Sequence, residues 1–216
     1  MGGKKVDKKD LLLYAVTDRR WTGEVTLEEQ VEAALKGGVT FLQLREKDLG
    51  TEEYIAQAKK IKALTDKYHV PFVIDDNIEV ALAVDADGVH VGQSDLPASE
   101  VRKLIGPNKI LGVSAKTVEQ ALKAEAAGAD YLGSGAVFET TTKPGTPTLP
   151  HETLQAICQA VSIPVVAIGG ITPENLLTLK GADVAGVAII SAIFGVKDIE
   201  GRCRKLLELS RELVQA

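Results

Sequence analysis

"LKGGVTFLQL", residues 35–44, sets the end of an amphipathic pattern, a pair of glycines and an apolar run side by side. A glycine just past a helix adopts the left-handed conformation that ends it and returns the chain to a sheet. The same order comes back as "VDADGVHVG" (84–92), "EAAGADYLGS" (125–134) and "LKGADVAGVAII" (179–190). Each time a helical pattern stops, Gly or Asp turns the chain, and an apolar strand begins. The four units precede the second, fourth, sixth and eighth apolar runs, an echo with a half-unit of two strand–helix pairs.

Working outward, strand-like runs fall at 12–17, 41–45, 72–75, 89–92, 110–114, 131–137, 165–169 and 187–191. Amphipathic patterns lie between and after them, near 27–37, 52–68, 77–83, 98–105, 117–127, 151–161, 173–180 and 198–214. The runs are continuously apolar, as in a parallel sheet covered on both faces. Eight strands, each followed by a helix, give an α/β chain folded as a single-domain (β/α)8 TIM barrel. An open doubly wound sheet shares the alternation and stays the structural rival. The barrel is expected over 11–216, after a flexible polar tail at 1–10.

The chain has 216 residues, 45% hydrophobic and 25% charged, which suits a soluble globular domain with a sizeable core. Its net charge of −5 is dispersed, so no concentrated basic field marks a nucleic-acid surface. No apolar stretch is long enough to span a membrane. The start, "MGGKKVDKKD", lacks a signal peptide's apolar run and has Val6 where myristoylation wants Ser or Thr, so a cytoplasmic protein is expected. Cys158 and Cys203 lie in helical patterns without metal-site spacing and read as small core hydrophobes.

In a parallel barrel, chemistry is built from loops at the carboxyl ends of the strands. The able residues gather there. The second run ends in Gln43, Arg45 and Lys47, the third in Asp75, Asp76 and Asn77, and the fourth holds His90 with Gln93 and Asp95 beyond it. "GVSAK" ends the fifth with Ser114, "VFETTTKPGTPTLP" follows the sixth, and "AIGGIT" and "AIISA" end the last two. Each has a plainer reading. Arg45 and Lys47 suit a solvated pairing with Glu46 and Asp48, Asp75 and Asp76 suit a helix N-cap, and Asp95 suits a turn. His90, between two valines, reads as a hydrogen-bonded barrel-interior histidine. Convergence on one rim is what these readings leave unexplained.

By charge, Arg45, Lys47 and Lys143 suit phosphate or diphosphate oxygens, while Asp76 and Asp95 are hard oxygen ligands suited to Mg2+. Gly169, Gly170, Ile190 and Ser191 offer backbone N–H groups at the position of this fold's common phosphate site. A diphosphate-like site with metal and a monophosphate site point to a reaction joining two phosphorylated small molecules.

The ordered set "YAVTD", "QLREK", "DGVHVGQSD", "GVSA", "TTTK", "AIGGIT" and "IISAI" resembles the thiamine-phosphate synthase family over nearly the whole length after residue 10. The resemblance implies a (β/α)8 barrel that uses Mg2+ to couple hydroxymethylpyrimidine diphosphate to hydroxyethylthiazole phosphate, releasing diphosphate. It puts Gln43, Leu44, Arg45, Glu46, Lys47, Asp75, Ser114 and Lys143 at pyrimidine diphosphate positions. Asp76 and Asp95 fall at metal positions, and Thr140, Thr141, Thr142, Gly170, Ile190 and Ser191 at thiazole phosphate positions. The resemblance gives Arg45, Lys47, Ser114 and Lys143 the catalytic work. The expected partners are small-molecule substrates, with no nucleic acid or membrane, and a homo-oligomer is left open.

Three positions depart from the family pattern. Asp75 replaces an Asn, bringing an extra negative charge; Ala136 replaces a Pro after Gly135, which would loosen the start of the next loop; and Lys116 replaces a His. A sister group of thiazole tautomerases shares fold and thiazole site but needs no diphosphate–metal site, and a non-catalytic metabolite-binding barrel is the rival from another class.

Overall fold

The computed structural model describes residues 6–140, 142, 145 and 147–215. Eight strands, β1 Leu13–Val16, β2 Phe41–Leu44, β3 Phe72–Asp75, β4 Gly88–Val91, β5 Ile110–Ser114, β6 Tyr131–Gly135, β7 Val165–Ile168 and β8 Gly186–Ile189, close in sequence order into a barrel. Every neighbouring pair is parallel, and β8 pairs β1, which excludes the open sheet. Six helices follow the first six strands: α1 Leu27–Lys36, α2 Thr51–Tyr68, α3 Ile78–Ala83, α4 Ala98–Ile105, α5 Val118–Ala126 and α6 His151–Ala160. After β8 come the short α7 Ser191–Phe194 and the long α8 Ile199–Val214.

The sequence reading needs correcting in two places. The pattern at 173–180 forms only a 3-10 turn, Leu176–Leu179, not an α-helix. The Asn175 side chain folds the start of the segment into turns, its Oδ1 accepting from the Thr172 N–H at 2.8 Å and its Nδ2 donating to Gly170 O at 2.9 Å, and Gly181 turns the chain at φ 88° after it. Second, every strand except β3 and β5 stops short of its expected end, so Thr17, Arg45, Gly92, Val137 and Gly169 already belong to rim loops and Ser191 opens α7. At the other end Lys8–Leu11 form a 3-10 turn begun by Asp7, and Leu11 is fully buried under the barrel.

The turns that prompted the barrel reading have the expected conformation. Gly38, Gly128 and Gly181 take left-handed φ angles of 94°, 88° and 88°. In "VDADG" the left-handed position is filled by Asp85 at φ 52°, a conformation Asp tolerates better than most side chains.

Alternate residues of each strand divide two cores. Leu13, Leu42, Ile74, Val89, Val113 and Leu132 pack outward against the helices. Tyr14, Phe41, Val73, Ile110, Tyr131 and Val166 point inward and fill the barrel. The interior aromatics touch: Tyr14 and Phe41 ring centroids lie 4.6 Å apart, and Phe41 and Tyr131 5.4 Å. They fit because β5 presents Gly112 there. A Cβ at Gly112 would overlap the Tyr131 ring and come within 2.5 Å of His90 Nδ1. Gly112→Ala should therefore overpack the barrel and lower the unfolding free energy by roughly 2 kcal/mol or more, read as a lower urea midpoint. An unchanged midpoint would show that the interior has slack.

Candidate active site

At the carboxyl end of the strands lies one cavity of about 550 Å³. Strand parity decides what faces it. At the end of β2, Gln43, Arg45 and Lys47 line the cavity while Leu44 and Glu46 point away. Leu44 is fully buried in the outer core. Glu46 is gripped by Arg19, with Nη2–Oε1 at 2.7 Å and Nε–Oε2 at 3.1 Å. Neither reaches the cavity, although the resemblance put both at substrate positions. Their work is to fix the alternation: Glu46 ties the second rim loop to the first, and Thr17 Oγ1 accepts from the Arg45 N–H at 3.0 Å.

Asp75 and Asp76 are not helix caps. Asn77 has that role, its Oδ1 accepting from the Val80 N–H at 2.9 Å, which leaves both aspartates free for the rim. Lys47 Nζ lies 2.7 Å from Asp75 Oδ2 and 2.5 Å from Asp76 Oδ2, and Arg45 Nε lies 3.8 Å from Asp75 Oδ2. Partial burial alone would lower the Lys47 pKa, but the two carboxylates outweigh it and raise it. Asp76 holds a left-handed φ of 58°, a strained conformation for a side-chain-bearing residue, which brings its carboxylate over the strand ends.

Asp95 takes both readings. Its Oδ2 accepts from the Gly92 N–H at 2.7 Å, closing a turn, and its side chain still lines the cavity. Burial, and then the neighbouring Asp76 carboxylate, push its pKa up. A carboxylate pair in which the Asp95 charge is disfavoured beside Asp76 is a donor set that a divalent cation relieves, so Asp76 and Asp95 fit Mg2+. Among the described residues no three metal-type side chains gather. The remaining ligands would therefore be substrate oxygens or water, as is usual for Mg2+.

Across the cavity stand Gly170, Ile190 and Ser191, with Thr140 and Thr142 beside them. Gly169 and Gly170 take φ angles of 100° and 67° because a side chain at either would collide with the chain leaving β6: a Cβ at Gly169 would come 2.5 Å from that of Ala136. Thr140 Oγ1 accepts from the Thr142 N–H at 3.2 Å. Lys143 and Thr141 lie outside the described residues. Backbone hydrogen bonds tie down the chain around Ala136. The Val137 N–H donates to Ile168 O at 2.9 Å, the Phe138 N–H to Gly169 O at 3.1 Å, and Ala136 O accepts from the Leu149 N–H at 2.7 Å.

His90 is the interior histidine expected. Its Nδ1 lies 3.0 Å from Tyr131 OH and its Nε2 3.0 Å from Ser114 Oγ, and burial pulls its pKa down to about 4. Gln93 Nε2 donates to Ser114 O at 2.6 Å. Tyr14 and Tyr131 were missed as polar site residues. The available signal was parity, since both share an inward-facing position with Gln43, His90 and Ser114. Cys158 and Cys203 are buried and unpaired, with thiols pushed up to about 12, which removes thiolate chemistry from consideration.

The family follows from comparison. Residues 13–193 match the family model described as thiamine monophosphate synthase. The chain belongs to the thiamine monophosphate synthase family. It is 53% identical over 202 residues to the thiamine-phosphate synthase of Ruminiclostridium cellulolyticum, covering 94% of this chain and 96% of that one. It is 50% identical over 203 residues to thiamine-phosphate synthase 2 of Streptococcus pneumoniae, covering 94% and 97%. The structure of a thiamine phosphate pyrophosphorylase from Pyrococcus furiosus superposes with a TM-score of 0.87 at 41% identity, over 96% of this chain and 98% of that one. No helix among the described residues is long and apolar enough to cross a membrane.

The histidine gives this family member a pH signature. An unfolded His90 takes up a proton near pH 6.5, but the folded one only near pH 4. Between these values the unfolded state binds more protons, so stability falls as pH falls. The loss is about 3 kcal/mol across that window. His90→Gln should flatten this part of the stability–pH curve, measured by urea unfolding from pH 7 to 4; an unchanged slope would place the acid sensitivity elsewhere.

Proposed function

We infer that this chain is a thiamine-phosphate synthase, a transferase joining hydroxymethylpyrimidine diphosphate to hydroxyethylthiazole phosphate with release of diphosphate. The observation that carries the reading is two chemically different anion sites facing one cavity. Arg45 and Lys47 stand beside the Asp76–Asp95 pair on one side, and Gly170, Ile190 and Ser191 on the other. Half-identity to named synthases over almost the full length supports it.

Arg45, Lys47 and, from the loop after β6, Lys143 bind the diphosphate, with Ser114 donating a hydrogen bond. As the exocyclic carbon–oxygen bond breaks, its electron pair leaves with the diphosphate, and these cations stabilise the growing negative charge. Mg2+ held by Asp76 and Asp95 supplies further positive charge for the same oxygens. The pyrimidine's amino group stabilises the electron-poor, carbocation-like carbon. The thiazole phosphate, anchored by Gly170, Ile190 and Ser191 with Thr140 and Thr142, places the ring nitrogen to form the new carbon–nitrogen bond. No protein nucleophile or general base is required. Gln43 completes the pyrimidine side of the pocket.

Diphosphate release should need both substrates and Mg2+. Lys143→Ala should keep the wild-type melting temperature and lower kcat by about 100-fold, the usual loss for one group acting on developing charge; unchanged turnover would remove Lys143 from the mechanism. Asp75 competes with the diphosphate for Lys47 and Arg45, so Asp75→Asn should lower the KM for the pyrimidine substrate several-fold. A raised KM would mean that Asp75 organises those cations rather than occupying them.

A further inference from the structure

Beneath the rim, five side chains form one unbroken hydrogen-bonded line. Gln43 Nε2 lies 2.6 Å from Tyr14 OH, and Tyr14 OH 2.7 Å from Tyr131 OH. Tyr131 OH lies 3.0 Å from His90 Nδ1, and His90 Nε2 3.0 Å from Ser114 Oγ. Gln43, Tyr14, Tyr131 and His90 are all buried, while Ser114 is half-buried and lines the cavity.

Burial keeps both phenols and the imidazole uncharged. Each junction between neutral members then holds one hydrogen, and the direction of one junction fixes the rest. The Gln43 amide nitrogen only donates. Tyr14 oxygen accepts there and gives its hydrogen to Tyr131, which gives its own to His90 Nδ1. The single imidazole hydrogen is left on Nε2 and goes to Ser114, whose oxygen accepts and whose own hydrogen is surplus to the line. The far end suits the same direction: Arg45, Lys47 and Lys116 line the cavity with Ser114, and an anion drawn there could only accept.

We propose that this line is a polarity relay: Tyr14, Tyr131 and His90 are positioning residues that hold Ser114 as an obligate hydrogen donor toward the anion in the cavity. In the opposite direction Ser114 would donate to His90 Nε2, Nδ1 would carry the hydrogen, and the serine would have nothing to offer an anion. The glycines opposite keep the line straight: a Cβ at Gly133 would press to 3.3 Å on His90 Cε1, and one at Gly112 to 2.5 Å on Nδ1. That the anion is the pyrimidine diphosphate rests on the synthase reading, whereas the direction of the line does not.

The direction can be read by nitrogen NMR of the full-length protein labelled with 15N-histidine at pH 7. The chain has three histidines, and loss of one signal set in His90→Gln identifies His90. A protonated-type Nε2 with an acceptor-type Nδ1 is expected; a hydrogen on Nδ1, or on both nitrogens, overturns the relay. A kinetic cycle tests its purpose. Tyr131→Phe keeps the ring and should raise the KM for the pyrimidine diphosphate about tenfold, the scale of one hydrogen bond to a charged group, with little change in the thiazole KM. In a Ser114→Ala background the same change should have no effect, because the group it positions is gone. Equal penalties in both backgrounds would reduce Tyr131 to packing and sink the proposal. Should the wild-type protein release no diphosphate, the synthase reading fails while the tautomer result stands. The cycle is then read by calorimetric binding of inorganic diphosphate with Mg2+.

Discussion

Tyr131 stands at the junction on which the rest of the molecule depends. Its ring needs the space that Gly112 leaves open, and its hydroxyl needs partners because it is fully buried. An unpaired buried hydroxyl would cost about 1–3 kcal/mol, and it is held on one side by Tyr14 and on the other by His90. Those contacts carry the packing of the barrel's middle up to Ser114 and out to Gln43. The floor of the cavity is thus the top of the core. A change in the packed interior is felt in the site, and the site has little room to shift without disturbing the core.

Above that floor the charges are arranged to be exchanged rather than kept. Lys47 sits between Asp75 and Asp76, and Arg45 leans toward Asp75. Without a ligand the cations and carboxylates neutralise one another across the rim. On the proposed reading, a diphosphate would draw the cations to its oxygens, and Asp76 and Asp95 would be left to hold the divalent cation.

The barrel was legible because each strand–helix unit repeats one local grammar: a helix, a left-handed turn residue, an apolar run. The lost helix at 173–180 shows the limit of that grammar. Amphipathic spacing was present, but the Asn175 side chain bonds back to Thr172 and Gly170 and Gly181 ends the segment, leaving one 3-10 turn. In the site, position on the rim found Arg45, Lys47, Asp76, Asp95 and Ser114, all of which line the cavity. Contiguity misled at Leu44 and Glu46, since period-two alternation turns every second residue away. Tyr14 and Tyr131 escaped notice for a different reason. A strand tyrosine reads as core, and only closure of the barrel shows that inward residues from β1, β2, β4, β5 and β6 meet on one axis.

On the proposed reading, the two halves of the cavity would hold anions by different physics. On the thiazole side the donors would be backbone N–H groups at Gly170, with its φ of 67°, and at Ile190 and Ser191. On the pyrimidine side Lys47 must first leave two carboxylates. On the proposed reading, a diphosphate would draw Lys47 to its oxygens while its divalent cation takes the place of Lys47 on Asp76, whereas a monophosphate without metal would bring no cation to replace it. The ion pairs of the rim would then favour the metal-bearing diphosphate, and the backbone donors opposite would suit a single phosphate.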